Sequence, residues 1–211
     1  MPEAKQLILD AETLFQRLDT LPLFRRVELI NTLRQRLHEH SPFVGEPADC
    51  VQWVPAETVQ GNAYNPNSVA PPEMKLLARS VEAEGFTQPI VVHQTGSDRY
   101  EIVDGFHRHK VGSRSAAIKR RLRGFLPVVT IRASRTAEAD RIAATIRHNR
   151  ARGIHGVAPM TDIVVTLLRA GWTDADVAHE LGMDAEEVFR FKQVAGLPEL
   201  FKDHPYSKAW D

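Results

Sequence analysis

One short segment of the sequence, residues 104–108, combines residue types that bind an anionic group. It reads DGFHR and follows the apolar pair Ile102-Val103, so we predict that a strand ends at Asp104 and that a helix begins after Gly105. The first amides of a helix have no intrahelical partner and carry partial positive charge, and a glycine lets a phosphate approach the backbone closely. Arg108 would add a bidentate, charge-assisted contact. The segment is therefore a candidate phosphate-binding site.

Three carboxylates near this segment are candidates for a catalytic base. Transfer of a phosphoryl group to a hydroxyl needs a carboxylate beside the acceptor oxygen, and Glu57, Glu101 and Asp104 are the candidates by position. No spacing singles out one of them, and Asp104 has the further interpretation that it caps the helix or holds Arg108. The sequence therefore leaves open which residue is catalytic and whether the protein is an enzyme.

Basic residues are concentrated after the phosphate-binding segment, although the 211-residue chain is neutral overall, with 27 Lys+Arg and 27 Asp+Glu. No acidic residue lies between Asp104 and Glu138. Such an asymmetry is typical of a polyanion-facing surface, or of a solvated helix face that is balanced by acids elsewhere. We interpret it as a DNA-facing surface. The residues expected to contact DNA there are Arg114, Lys119, Arg120, Arg121 and Arg123.

The composition excludes several classes of protein. The single cysteine, Cys50, excludes a disulfide framework and any multi-cysteine zinc or iron–sulfur site. The histidines lack partners at ligand spacing, so no metal site is predicted. The N-terminal segment does not read as a signal peptide, and no apolar run approaches the roughly 20 residues of a membrane helix. We therefore expect a soluble cytoplasmic protein with no membrane partner.

Apolar periodicity predicts the elements that position the phosphate-binding segment. Residues 1–40 are expected to form an N-terminal helical hairpin that is broken at Pro22, and residues 41–50 a linker. Residues 51–156 are expected to form a mixed α/β domain. Its predicted strands are 51–54, 90–93, 100–103 and 128–131, and its predicted helices are 71–85, 106–118 and 136–147. The fold class is α+β.

The remaining residues, 157–211, are predicted to be helical and to contain a helix-turn-helix. Thr173-x-x-Asp176 has the form of a capping box, and a second cap follows at Asp184-x-x-Glu187. Between them, a small residue, a turn glycine and an apolar anchor follow the spacing of a helix-turn-helix.

The predicted second helix of this unit carries both attractive and repulsive groups for DNA. Arg190 and Lys192 are candidate DNA contacts, whereas the helix opens with the carboxylates Asp184, Glu186 and Glu187, which repel phosphates. A helix-turn-helix that serves only as a protein-binding scaffold is therefore the alternative to a DNA reader.

The order of these motifs resembles the ParB/sulfiredoxin superfamily. Residues 104–108 occupy the place of the ParB GERR-type box and look still more like the G-x-HR phosphate motif of sulfiredoxins and free-serine kinases. Residues 147–152 fall where ParB proteins carry their ENxxR box. The phrases YNPN, PPEM, TQPIV, RHNRARG and YSKAWD look closest to the immunoglobulin-binding-regulator B (IbrB)-like branch, which are ParB-like proteins of prophages and mobile elements.

The resemblance implies a ParB/sulfiredoxin-like mixed sheet with a nucleotide in its pocket. Gly105, His107 and Arg108 would hold the phosphates, and Asn149 and Arg150 would close over them. The nucleotide is CTP in ParB proteins and an adenine nucleotide in the sulfiredoxin and kinase branches, so GFHR in place of GERR favours ATP or ADP over CTP, with Mg²⁺. Sulfiredoxin chemistry is not expected, because Phe106 stands where that motif has its cysteine.

Three functions are compatible with these features. The first is a nucleotide-binding, DNA-associated transcription regulator of a prophage or mobile-element system. The second is an enzyme that hydrolyses ATP or transfers its phosphoryl group, as in the serine-kinase-like branch, or a nuclease. The third is a protein-binding adaptor. The resemblance also implies a partner similar to phosphoadenylylsulfate reductase, and a homodimer is a further possibility.

Overall fold

Five strands form the sheet that carries the candidate site. The structure is a computed structural model, and it describes residues 2–62, 71–131, 138–150 and 157–196. The strands are β1 (Gln52–Pro55), β2 (Val59–Gln60), β3 (Ile90–Gly96), β4 (Arg99–Asp104) and β5 (Phe125–Thr130). Their order across the sheet is β1-β5-β3-β4-β2. β1 with β5 and β3 with β4 are antiparallel pairs, whereas β3 with β5 and β2 with β4 are parallel pairs. The predicted mixed sheet is confirmed.

Helices precede, flank and follow this sheet. Those in the described residues are α1 (Pro2–Gln16), α2 (Leu23–Glu39), α3 (Pro71–Glu84), α4 (Phe106–Arg114), α5 (Ala116–Arg121), α6 (Glu138–Arg150), α7 (Val157–Arg169), α8 (Asp174–Leu181) and α9 (Ala185–Ala195). Short 3₁₀ turns occupy Arg17–Thr20, Pro47–Asp49 and Ala56–Thr58. Within the described part of the chain, none of these helices is both long enough and apolar enough to cross a membrane.

The prediction of a single helix over residues 106–118 is wrong, because two helices meet at Ser115. Ser115 has extended backbone geometry, with φ −69° and ψ 116°, and its side chain accepts a hydrogen bond from the amide of Ile118. A serine in this conformation is a helix N-cap. It therefore ends α4 and starts α5 in a new direction.

Apolar side chains of the sheet pack against α3, α4 and α5 on one face. The buried cluster on the sheet includes Ile90, Val92 and Ile102, and Phe86 and Leu122 connect it to the cluster between the three helices. Helix α4 comes unusually close to the sheet at Gly112, where an added Cβ would lie 2.5 Å from the side chain of Leu126. A larger residue would push α4 away from the sheet and shift the segment at its N-terminus.

Helix α2 covers the edge of the sheet at β1. The Asn31 side chain donates to the Trp53 carbonyl at 2.7 Å and accepts from the Trp53 amide at 3.0 Å, and Arg34 donates to the Val51 carbonyl at 3.3 Å. The two N-terminal helices predicted from periodicity are confirmed. Helix α1 nevertheless leaves Leu7 and Phe15 exposed, so its apolar side chains do not add to the described core.

Helices α6 to α9 form a second apolar core, and α8 and α9 form the helix-turn-helix. The capping box at Thr173 and Asp176 is present at the start of α8, and Asp184 accepts from the Glu187 amide at the start of α9. Gly182, with φ +64°, makes the turn between the two helices. The predicted helix-turn-helix is confirmed.

Lys192 is buried within this unit, which corrects its expected contact with DNA. Only 3% of the residue is exposed, and its ammonium group lies 2.9 and 3.0 Å from the two carboxylate oxygens of Asp174 at the start of α8. The apolar spacing of α9 turns this position toward the core, where a lysine needs an acidic partner. Lys192 therefore holds α9 against α8.

Replacing Lys192 should destabilise the helix-turn-helix. Lys192→Ala leaves Asp174 without its cation, and we expect a loss of about 2–3 kcal/mol, less than for a fully buried pair because the Asp174 side chain is 33% exposed. The control is Arg190→Ala, whose pair with Glu186 is exposed and should contribute little to the free energy of unfolding. Urea denaturation measures the free energy of unfolding of both variants. Equal, small losses in the two variants would contradict the structural role of Lys192.

Candidate functional site

The predicted strand–glycine–helix junction is present between β4 and α4. Gly105 is the N-cap of α4 and has φ +91°, a left-handed conformation that favours glycine. The first turn of α4 contains no acidic residue, and the cap residue has no side chain to bond its amides. The amides of this turn are thus the kind of donors that bind phosphate in other proteins.

The Arg108 guanidinium lies directly over Gly105. An added Cβ at Gly105 would be 2.9 Å from Nη2 and 3.0 Å from Nε of Arg108. Nη2 also donates to a carboxylate oxygen of Asp104 at 3.3 Å, and Nη1 donates to the side-chain carbonyl of Gln88. The Arg108 side chain is only 13% exposed and that of Asp104 8%, so this cation is fixed in place before any ligand arrives.

These contacts distinguish the two structural interpretations of Asp104, as a helix cap or as a partner of Arg108, and leave its interpretation as a catalytic base a prediction. Asp104 holds Arg108, and Gly105 rather than Asp104 is the helix cap. Gln88 was not among the residues predicted from the sequence, although it stands next to Pro89 in the TQPIV phrase just before β3. No local signal identifies it, because the contact joins residues twenty positions apart.

A cleft of about 350 Å³ opens beside this junction, a size within the range of small-molecule sites. One wall is α3 with the segment after it, where Leu77, Val81 and Phe86 are apolar. The other wall is residues 103–108. The lining of the cleft therefore combines apolar side chains with the Arg108 cation, as a ligand with a planar base and a phosphate would require.

The two histidines of α4 have different surroundings. Burial and the nearby Lys110 lower the pKa of His107, and Asp104 opposes this shift. His107 lines the cleft, so its neutral imidazole is available there as a hydrogen-bond donor at neutral pH. Burial also lowers the pKa of His109, whose ring bonds to the backbone of Val59 and Ala56. His109 thus ties α4 to the β2 segment.

Two of the carboxylates predicted near the phosphate site, Glu57 and Glu101, are not brought to it. Glu101 lies 3.5 Å from Arg141 of α6, and Glu57 is exposed in a 3₁₀ turn. Neither residue lines the cleft. Asn149 and Arg150 end α6, but their side chains lie outside the described part of the structure. Across the described residues, no group of three His, Cys, Asp or Glu side chains is placed to hold a metal ion.

The predicted DNA-facing residues are exposed around α5, with one qualification. Arg121 donates to the Val81 and Glu82 carbonyls at 2.6 and 2.8 Å. It therefore caps the C-terminal end of α3 and has a structural role besides any contact with DNA. The other exposed members of this group are Arg114, Lys119, Arg120 and Arg123. We call these four residues the α5 basic surface.

Arg190 lies on the exposed side of α9. Its guanidinium is 2.6 Å from Glu186 one turn earlier, and both side chains are largely exposed. An exposed pair of this kind is readily exchanged for another partner. Arg190 thus remains available on the second helix of the helix-turn-helix, where Lys192 is not.

Comparison with known proteins places these features in a family. Residues 44–143 match the ParB N-terminal domain, and residues 155–203 match the IbrB-like C-terminal HTH domain. The uncharacterized protein YbdM of Escherichia coli (strain K12) is 52% identical over 199 residues, which are 94% of this chain and 94% of that protein. The probable chromosome-partitioning protein ParB of Pseudomonas putida is 42% identical over 59 residues, which are 28% of this chain and 20% of that protein.

A solved structure adds a more distant similarity. The C-terminally truncated chromosome-partitioning protein ParB from Caulobacter crescentus, complexed with CTP-gamma-S, is 20% identical and has a TM-score of 0.39, with 71% of this chain and 80% of that chain covered. Similarity at this level carries no argument about function. The two domain matches and the relative of nearly equal length do show the family. The chain belongs to the ParB-like proteins in which a ParB N-terminal domain is followed by an IbrB-like C-terminal helix-turn-helix domain.

Proposed function

We propose that this protein is a nucleotide-binding, DNA-associated regulator. The observation that carries the proposal is the position of Arg108, held over Gly105 at the N-terminus of α4 and at the edge of the 350 Å³ cleft. The cation and the amides of the helix N-terminus fit a phosphate group. Leu77, Val81 and Phe86 fit the apolar faces of a nucleobase.

Several features of the bound nucleotide belong to this proposal. The GFHR motif favours ATP or ADP over CTP, and Mg²⁺ would accompany the phosphates. Gly105, His107 and Arg108 would bind them, and Asn149 and Arg150 would close over them. Turnover is not proposed, because the described lining of the cleft contains a single carboxylate, Asp104, which already bonds Arg108.

The proposal that DNA is the second ligand rests on two exposed features. Counterion release from phosphates dominates the affinity of proteins for DNA, and the α5 basic surface supplies the cations for it. The helix-turn-helix supplies Arg190 on its second helix, where a side chain can reach a base edge. Glu186 and Glu187 in the first turn of that helix would limit its contacts with the DNA backbone.

Further expectations from the sequence stay predictions. They are the role in a prophage or mobile element, the partner similar to phosphoadenylylsulfate reductase, the homodimer, the cytoplasmic location and the division of the chain near residues 41–50 and 156.

Nucleotide binding should depend on Arg108. We expect calorimetric titration of ATP, ADP, CTP and GTP with Mg²⁺ to show selective binding to the wild type and loss of at least tenfold in affinity for Arg108→Ala, since a charge-assisted hydrogen bond contributes about 1.5–3 kcal/mol. Arg36→Ala, on the exposed side of α2, is the control. Equal affinity in both variants would show that the phosphates do not bind at this site. If no nucleotide binds the wild type, the proposal of a nucleotide ligand is wrong.

Adding one methyl group at Gly105 should have a specific effect. Gly105 and Gly171 both have φ +91°, so alanine at either position should cost about 1–2 kcal/mol in backbone strain. An added Cβ meets Arg108 at Gly105 and nothing within 4 Å at Gly171. We expect thermal denaturation to show a loss of stability in both variants, larger in Gly105→Ala because the methyl group also displaces Arg108, and calorimetry to show loss of nucleotide affinity in Gly105→Ala alone. Loss of affinity in both variants would point to a global effect.

DNA binding should weaken when the α5 basic surface is reversed in charge. For Lys119→Glu/Arg120→Glu we expect lower affinity for every duplex sequence and a salt dependence that is shallower by about two ions, because each lost phosphate contact removes about 0.9 from the slope. The control is Lys5→Glu/Arg36→Glu, which changes the net charge by the same amount as the α5 variant but places the changes on α1 and α2. Fluorescence anisotropy against salt concentration measures both. An unchanged slope in the α5 variant would place the DNA elsewhere.

A further inference from the structure

We infer that a second cleft, between α2 and the sheet, binds an arginine-bearing segment of a protein partner. This cleft has a volume of about 420 Å³ and lies at the turn of the β3–β4 hairpin, where Ser97, Asp98 and Tyr100 contribute to its lining. The candidate nucleotide site uses the other end of the same hairpin, at Gln88 and Asp104. A six-residue strand separates the two ends by roughly 15–20 Å, so the two sites are distinct.

Aromatic side chains form much of the wall of this cleft. The rings of Phe24 on α2 and Phe125 on β5 have centroids 5.2 Å apart at an angle of 52°, and Trp53 and Tyr100 are half-buried beside them. Phe24 is 64% exposed, so much of this side chain is accessible to a ligand. Aromatic faces attract cations, and the planar guanidinium stacks on them better than an ammonium group does.

The charged residues of the lining indicate that the ligand is positively charged. Glu28 and Asp98 are its two carboxylates, and no Lys, Arg or His side chain is among the described residues that line the cleft. The Asp98 carboxylate is close enough to contribute, after burial, to raising the pKa of Tyr100. This negative lining repels phosphates and complements a cation. It is the opposite of the α5 basic surface.

The cleft is held in shape before a ligand binds. Asn31 lies in the lining and fixes α2 to β1 through its two hydrogen bonds with the Trp53 backbone. Glu28 is positioned by Arg25 at 2.7 Å, and an incoming guanidinium can share or replace that exposed contact. A guanidinium bound in this cleft would share it with Phe24 and with the carboxylates of Asp98 and Glu28, to which it can donate charge-assisted hydrogen bonds.

The test is a nuclear magnetic resonance titration of the ¹⁵N-labelled full chain with a capped Gly-Arg-Gly peptide. We expect shifts at the Trp53 indole and the Asp98 and Tyr100 amides, and affinity lower by about two- to fivefold in Asp98→Asn and in Phe24→Ala. Asp162→Asn, an exposed acid on α7, should bind as the wild type does. Arg108→Ala should also bind the peptide unchanged, which separates this proposal from the nucleotide site.

Four results would overturn the inference. The first is no shift at the cleft with Gly-Arg-Gly up to tens of millimolar. The second is equal binding of Gly-Glu-Gly, and the third is an affinity in Asp98→Asn and Phe24→Ala that matches that of Asp162→Asn. A hexathymidylate that shifts the same cleft residues more strongly would also overturn it, since the aromatic wall would then stack bases. Thermal denaturation of Phe24→Ala confirms that the variant folds.

Discussion

The contact between the Arg108 guanidinium and the bare backbone of Gly105 is the constraint on which the candidate site depends. The guanidinium occupies the space that any side chain at position 105 would fill. Asp104 and Gln88 hold it from two sides, so strand β4, helix α4 and the segment before β3 must all keep their places. The cation is thereby fixed before a ligand binds, and little conformational entropy is left to lose on binding.

The fold supplies those places through close packing. Gly112 brings α4 against the sheet beside Leu126 and Phe86, and His109 ties the same helix to the β2 segment. On the other wall, Arg121 reaches from α5 to the last carbonyls of α3. Arg121 therefore joins α5 to the α3 wall of the cleft, so a side chain predicted from the sequence to contact DNA also supports the wall of the candidate nucleotide site.

Much of this arrangement could be predicted from local sequence. The strand, glycine and helix at 102–108 follow from residue types that have clear backbone preferences, and the capping box at Thr173 follows from two side chains three residues apart. The break at Ser115 escaped prediction because a serine inside a helical pattern can either continue the helix or cap a new one. Two other features of the structure depend on contacts between residues that are far apart in the sequence. The burial of Lys192 depends on Asp174 in another helix, and the anchoring of Arg108 depends on Gln88, so neither has a signal within its own element.

The sheet edge at β1 is closed by a side chain, because Asn31 bonds the Trp53 amide and carbonyl in place of a neighbouring strand. An exposed edge is a template on which strands of other molecules assemble. Helix α2 therefore protects the protein against self-association as well as shaping the second cleft. Opening or loss of this helix would expose β1, a strand with an aromatic residue and a valine, to other copies of the protein. Aggregation would then begin at the β1 edge of the sheet, and not at its protected centre.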